Sequence, residues 1–151
     1  MSDAGAPHAG APEAGRIFAE VETQVQFYDL DPMEIVWHGH YARFLELARC
    51  ALLDKIDYNY AQMKASGYAW PVIDLHIRYL QPAAFGERIK VRAELTEWEN
   101  RLTLEYLITN IASGLRITKA STMQVAVEIS TRQMCLASPA VLYEKLGLPR
   151  P

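Results

Sequence analysis

Apolar and polar residues follow one of two rhythms along most of the chain, and each change of rhythm marks an element. From Ala19 the rhythm is alternation, with Ala19, Val21, Val25 and Phe27 on one side and Glu20, Glu22, Gln24 and Gln26 on the other. Successive side chains of an extended backbone point to opposite faces, so this pattern predicts a half-buried strand. The polar turn Tyr28-Asp29-Leu30-Asp31-Pro32 follows, and Pro32 holds Asp31 out of helical geometry. Between Gly39 and Ile56 the step becomes three and four: Tyr41, Phe44, Leu45, Ala48, Leu52 and Ile56 predict an amphipathic helix of about four to five turns. No Gly or Pro lies between Tyr41 and Asn59, and Tyr58 to Gly67 predicts a second, shorter helix closed by Gly67.

After Pro71 alternation returns and persists. Ile73, Leu75, Ile77 and Tyr79 alternate with Asp74, His76 and Arg78. Ile89, Val91, Ala93 and Leu95 alternate with Arg88, Lys90, Arg92 and Glu94, and Leu102, Leu104, Tyr106 and Ile108 with Arg101, Thr103 and Glu105. Leu115 to Ile129 reads as one long strand with Met123, Val125, Val127 and Ile129 on its apolar face. Short connections at Glu99-Asn100 and Ala112-Ser113-Gly114 make the last three strands antiparallel hairpins. Ser138-Pro139 opens a short C-terminal helix, Ser as N-cap and Pro in the first turn. Strand, long helix and antiparallel strands together predict an α+β fold in which the helix lies across the sheet and buries its stripe there.

The length of 151 residues suits one domain, expected over residues 17–151. Residues 1–16 include the run DAGAPHAGAPEAG, which holds too little apolar surface to order itself; a disordered tail is expected, with His8 idle inside it. Fifteen basic against 18 acidic residues leave a net charge of −3, which gives no electrostatic ground for binding nucleic acid or an anionic membrane. A polyanionic ligand must then be held by a local cluster of Lys or Arg. The two cysteines, Cys50 and Cys135, lack CxxC spacing, and a reducing compartment is expected. Met1 to Arg16 lacks the apolar core of a signal peptide, and no run approaches the roughly 20 apolar residues of a membrane helix. The expected location is the cytoplasm.

The candidate chemistry is concentrated in VQFYDLDPMEIVWHGHYARFLELAR, from Val25 to Arg49. Asp29-Leu30-Asp31-Pro32, Ile35-Val36-Trp37-His38, Gly39-His40-Tyr41 and Glu46-Leu47-Ala48-Arg49, with Ile77-Arg78-Tyr79, Pro82 and Gly86 further on, resemble the 4-hydroxybenzoyl-CoA thioesterase family. The resemblance extends over roughly Ala19 to Ile129. It implies a hot-dog fold, a curved antiparallel sheet wrapped around one long central helix. It further implies a cofactor-free hydrolase acting on an acyl-CoA or acyl-carrier-protein thioester, built as a homodimer or dimer of dimers with sites at the seam. The catalytic carboxylate implied is Asp31.

The chemistry makes sense on its own terms. An ionised Asp attacks a thioester carbonyl directly or deprotonates a water that does. Open backbone N–H groups at the helix start, near His38 and Gly39, supply donors for the oxyanion, and the helix end favours an ionised Asp31. His38 and Gly39 are therefore candidate catalytic residues, with Glu34, Trp37, His40 and Tyr41 as substrate contacts. Glu34 stands where relatives commonly carry Gly; a second carboxylate there either tunes Asp31, activates the water or simply faces solvent. Arg88, Lys90 and Arg92 are candidates for coenzyme A phosphates, with Arg116 and Lys119 as further ones; a solvated strand face is the alternative.

Each reading has a rival. Asp31 before Pro32 suits an Asx-turn, and Asp29 a turn cap. Asp29, Asp31, His38 and His40 together suit a metal cluster, although hydrolysis explains them without an ion. Cys50 lacks an evident base and reads as a structural thiol. Met63, Tyr68 and Trp70 floor an acyl pocket or simply fill the core. At the level of the whole chain, the rivals are a non-catalytic acyl-thioester-binding module and an acyl-carrier-protein dehydratase.

Overall fold

The computed structural model describes residues 15–151; the residues before them, including His8 and nearly all of the expected tail, lie outside the described residues. The elements are β1 (Phe18–Gln24), α1 (Tyr41–Lys55), α2 (Tyr60–Ser66), β2 (Tyr68–Ala69), β3 (Val72–Tyr79), β4 (Arg88–Glu97), β5 (Leu102–Asn110), β6 (Arg116–Gln124), β7 (Val127–Glu128) and α3 (Ala140–Leu146). Two 3-10 turns, Phe27–Asp29 and His38–His40, lie between β1 and α1. A curved five-stranded antiparallel sheet has the order β1-β4-β5-β6-β3, and β2 and β7 form a separate ribbon. The α1 stripe of Tyr41, Phe44, Leu45, Ala48 and Leu52 is buried against the face of β4 that carries Ile89, Val91, Ala93 and Leu95. This is the hot-dog fold. No helix among the described residues is long and apolar enough to cross a membrane.

Three local expectations need correction. β1 stops at Gln24, and Phe27, expected on the buried face, is 79% exposed. The Asp29 carboxylate accepts the Gln26 N–H and winds the chain into a 3-10 turn, which breaks the alternation. The expected strand from Leu115 to Ile129 divides after Gln124, and the buried face of β6 is Thr118, Ala120, Thr122 and Gln124 rather than the apolar set. Polar side chains are tolerated there where they find partners: Thr122 meets the Tyr106 hydroxyl at 2.7 Å, and Gln124 donates to the Trp70 carbonyl oxygen at 2.7 Å. Finally, Pro139 and not Ser138 takes the N-cap position of α3; Ser138 instead uses its backbone N–H, which donates to the Glu99 carbonyl oxygen at 2.8 Å.

β3 is the element that fits its surroundings least. It pairs with β6 on one side only, and Ile73, Leu75 and Tyr79 are about half exposed although they alternate as a strand should.

Candidate functional site

The loop between β1 and α1 is a miniature hairpin. The Asp31 N–H donates to the Ile35 carbonyl oxygen at 2.9 Å and the Glu34 N–H to the Asp31 carbonyl oxygen at 2.9 Å, with a bridge between Leu30 and Val36 beneath them. A three-residue connection of this kind needs its last residue in the left-handed region. Glu34 takes that position with φ 65°, a conformation that Gly would adopt without strain. Glu34 is exposed and is not among the residues lining the neighbouring cleft.

Asp31 is half-buried. Its Oδ1 accepts the Met33 N–H at 2.8 Å, so the Asx-turn is real, while no partner reaches Oδ2 among the described residues. The carboxylate lines a mainly apolar cleft of about 270 Å³, together with Ile35, His38, Tyr41, Tyr79 and Pro82. Tyr41 is buried with its ring edge-on to Tyr79, 5.3 Å between centroids. Burial pushes its hydroxyl up to about 12, only partly offset by the Thr118 hydroxyl, and the phenol remains protonated at any physiological pH.

His38, the first residue of the 3-10 turn before α1, lines this cleft. The first amides of such a turn have no preceding turn to supply carbonyls, which is the position of the His38 and Gly39 N–H groups. The His40 N–H, by contrast, donates to the Trp37 carbonyl oxygen at 2.9 Å. The turn is fixed from outside by the Tyr79 hydroxyl, which donates to the His38 carbonyl oxygen at 2.6 Å. The Trp37 indole is half exposed and folds over Gly39: a Cβ there would stand 2.6 Å from the ring.

Asp29 and His40, eleven positions apart, form a pair that spacing alone does not announce. Asp29 is 4% exposed; its Oδ1 stands 2.7 Å from His40 Nε2, its Oδ2 accepts the Gln26 N–H at 2.7 Å, and its carbonyl oxygen accepts the Trp37 N–H at 3.0 Å. One buried residue thus ties the exit of β1 to the turn carrying the open amides. The expected capping role of Asp29 is present, and His40 faces Asp29 with its ring edge against Phe44. The four acids and histidines considered for a metal do not gather: no group of three or more His, Cys, Asp or Glu among the described residues is placed to hold an ion.

Arg88, Lys90 and Arg92 lie on the β4 face opposite α1. They meet Glu22 at 3.8 Å, Glu20 at 3.8 Å and Glu20 at 3.1 Å respectively, and Arg92 also covers the Phe18 ring. Met63, Tyr68 and Trp70 do come together, lining a second cavity of about 690 Å³ between α1, α2 and the β2–β7 ribbon. Cys50 and the Glu46–Arg49 ion pair stand at this cavity too. Tyr79, which lines the cleft, was not expected there, because the sequence marked it only as part of an alternating strand and of the family resemblance.

Residues 25–145 match the thioesterase-like superfamily, and the chain belongs to it. Among individual proteins, it is 32% identical over 108 residues to the putative acyl-CoA thioesterase YneP of Bacillus subtilis, covering 71% of this chain and 78% of that one. It is 28% identical over 128 residues to the long-chain acyl-CoA thioesterase FadM of Escherichia coli, covering 84% and 96%. A DHNA-CoA thioesterase structure from Staphylococcus aureus superposes with a TM-score of 0.71 at 27% identity, covering 79% of this chain and 80% of that one.

Proposed function

We propose that the protein hydrolyses acyl thioesters, those of coenzyme A foremost, with Asp31 as the catalytic carboxylate. The observation that carries this is the half-buried Asp31, one oxygen held by the Met33 N–H and the other unengaged, on an apolar cleft beside the open amides of the turn at His38. The apolar walls exclude water from the thioester and strengthen each charge interaction inside. The amide N–H groups of His38 and Gly39 meet the developing oxyanion, while Tyr79 and the Asp29–His40 pair hold the turn that carries them.

Two routes use the same atoms. In one, Asp31 Oδ2 attacks the thioester carbon, the C–S bond breaks, the thiolate leaves and is protonated, and water then opens the mixed anhydride. In the other, Asp31 takes a proton from a water that attacks the carbonyl, and the proton passes to the leaving sulfur. The kinship to the 4-hydroxybenzoyl-CoA thioesterases, carried by Asp29-Leu30-Asp31-Pro32 and Ile35-Val36-Trp37-His38, is part of this reading and fits either route. So is a two-fold assembly through β3, whose half-exposed apolar residues call for a covering surface.

The test is thiol release from a panel of acyl-CoA and acyl-carrier-protein thioesters. Turnover abolished by Asp31→Asn supports the reading, and a panel left intact by the purified chain refutes it. Label found in Asp31 after a single turnover in ¹⁸O-water would establish the anhydride route, since it enters there only when water attacks the aspartyl carbon of the anhydride.

A further inference from the structure

The free edge of the sheet carries charges that find no counterpart in their own protomer. β3 bonds to β6 alone, and all of its residues except Ile77 are exposed. Its register on β6 separates its two faces. Leu75, Ile77 and Tyr79 stand opposite Thr122, Ala120 and Thr118, on the buried face of β6. Asp74, His76 and Arg78 stand opposite Met123, Ser121 and Lys119, on the other face. Arg78 is thus set directly against a second cation, which is unfavourable on neighbouring strands. Neither Asp74, Arg78 nor Lys119 has an ion-pair partner among the described residues.

Two copies joined β3 to β3 about a two-fold axis, apolar stripe continuing apolar stripe, must set residues of one face against residues of that same face. The axis then passes a residue opposite its own copy, and the charges decide which one. At Asp74 or Arg78 the axis opposes like charges. At Leu75 it leaves Arg78 facing Val72, and at Ile77 it sets Arg78 against His76. At His76 each Asp74 meets an Arg78, and this happens twice. The backbone agrees. The register of β3 shifts between Val72 and Asp74 and runs unbroken over residues 74–79, so the span 74–78 centred on His76 is regular in both copies.

We infer that this edge recognises a second copy of the chain in one register, with His76 on the axis between two reciprocal Asp74–Arg78 ion pairs, and that the partner then completes the Asp31 cleft. The inference rests on the two-fold pairing proposed above and deepens it. The apolar stripe supplies the adhesion, and the charges supply the choice of register and of partner. The partner's Asp74 also gives Arg78 the anion that Lys119 denies it. In this register the partner's Ile73 and the partner's Val72 come beside Tyr79 and Leu80, both on the cleft wall.

The test is sedimentation of the whole chain over a range of concentrations, beside thiol release. Asp74→Arg and Arg78→Asp each turn both ion pairs into like-charge pairs, and each alone should weaken pairing at least about tenfold. An equal mixture of the two variants restores both pairs between unlike chains, so it should regain the wild-type mass, and turnover with it. The double variant, with both changes on one chain, should do the same; either rescue shows that the single variants were folded. Single variants that pair like the wild type, or a mixture that pairs no better than its parts, overturn the register. A monomeric wild type overturns it together with the pairing. Turnover unmoved by the loss and return of pairing overturns the partner's place in the cleft. If the wild type releases no thiol from any thioester, the hydrolase reading fails instead, and sedimentation still decides the register.

Discussion

At Asp31 the Asx-turn and the catalytic role need not compete, since they use different oxygens of one carboxylate. The Met33 N–H on Oδ1 fixes the rotamer and leaves Oδ2 without a partner among the described residues, as the proposed role requires. Asp31→Asn retains the turn, because the amide oxygen still accepts from Met33, while removing the charge. Turnover should therefore fall by at least about a hundredfold with little change in melting temperature; near-normal rates in a thiol-release assay would remove Asp31 from the mechanism. Glu34 calls for the opposite experiment. Its left-handed backbone strains any residue with a Cβ by about 1 kcal/mol, of which the extra chain entropy of Gly returns only part. Glu34→Gly should gain about 0.5 kcal/mol in urea unfolding and keep its activity. A tenfold loss of turnover would instead place the Glu34 carboxylate in the chemistry.

Among the elements, legibility depended on whether the two faces of a strand meet different solvents. β4 and β5 were readable residue by residue, since Ile89 to Leu95 and Leu102 to Ile108 face the core in strict alternation. β6 was not, because its buried face carries Thr118, Thr122 and Gln124, and the last two replace apolar burial by hydrogen bonds whose partners lie on other elements. The site shows the same division. The Asp-x-Asp turn and the helix start were visible as local motifs, but the Asp29–His40 pair closes across an intervening hairpin and has no periodic signature. The cations of β4 were visible as a row, and what they face was not: β1 presents Glu20 and Glu22 to them. Such exposed pairs contribute little and are screened by salt. Replacing Arg88, Lys90 and Arg92 by Gln should leave the KM for acyl-CoA within about twofold, a change too small for lost phosphate contacts. A several-fold rise in KM at constant kcat, weakening with salt, would assign them to the coenzyme A phosphates after all.

For the whole molecule the edge of the sheet matters most. Val72, Ile73, Leu75, Tyr79 and Leu80, with Leu47 on α1, are between 37% and 54% exposed, an apolar surface that soluble proteins rarely leave bare along an unpaired strand. Light scattering at micromolar concentration should give twice the chain mass or a multiple of that. Leu75→Lys should return it toward the monomer and reduce turnover with it; a monomeric wild type would contradict the pairing.

A bare edge of this kind also gives the chain a history. Under the proposed two-fold assembly, each newly folded protomer carries, until it meets its copy, an adhesive strip that any other unpaired strand can occupy. The time spent in that state shortens as more copies are present, so the hazard is greatest when synthesis is slowest. Scarcity, rather than abundance, is then the condition under which the proposed pairing would leave the strip bare longest.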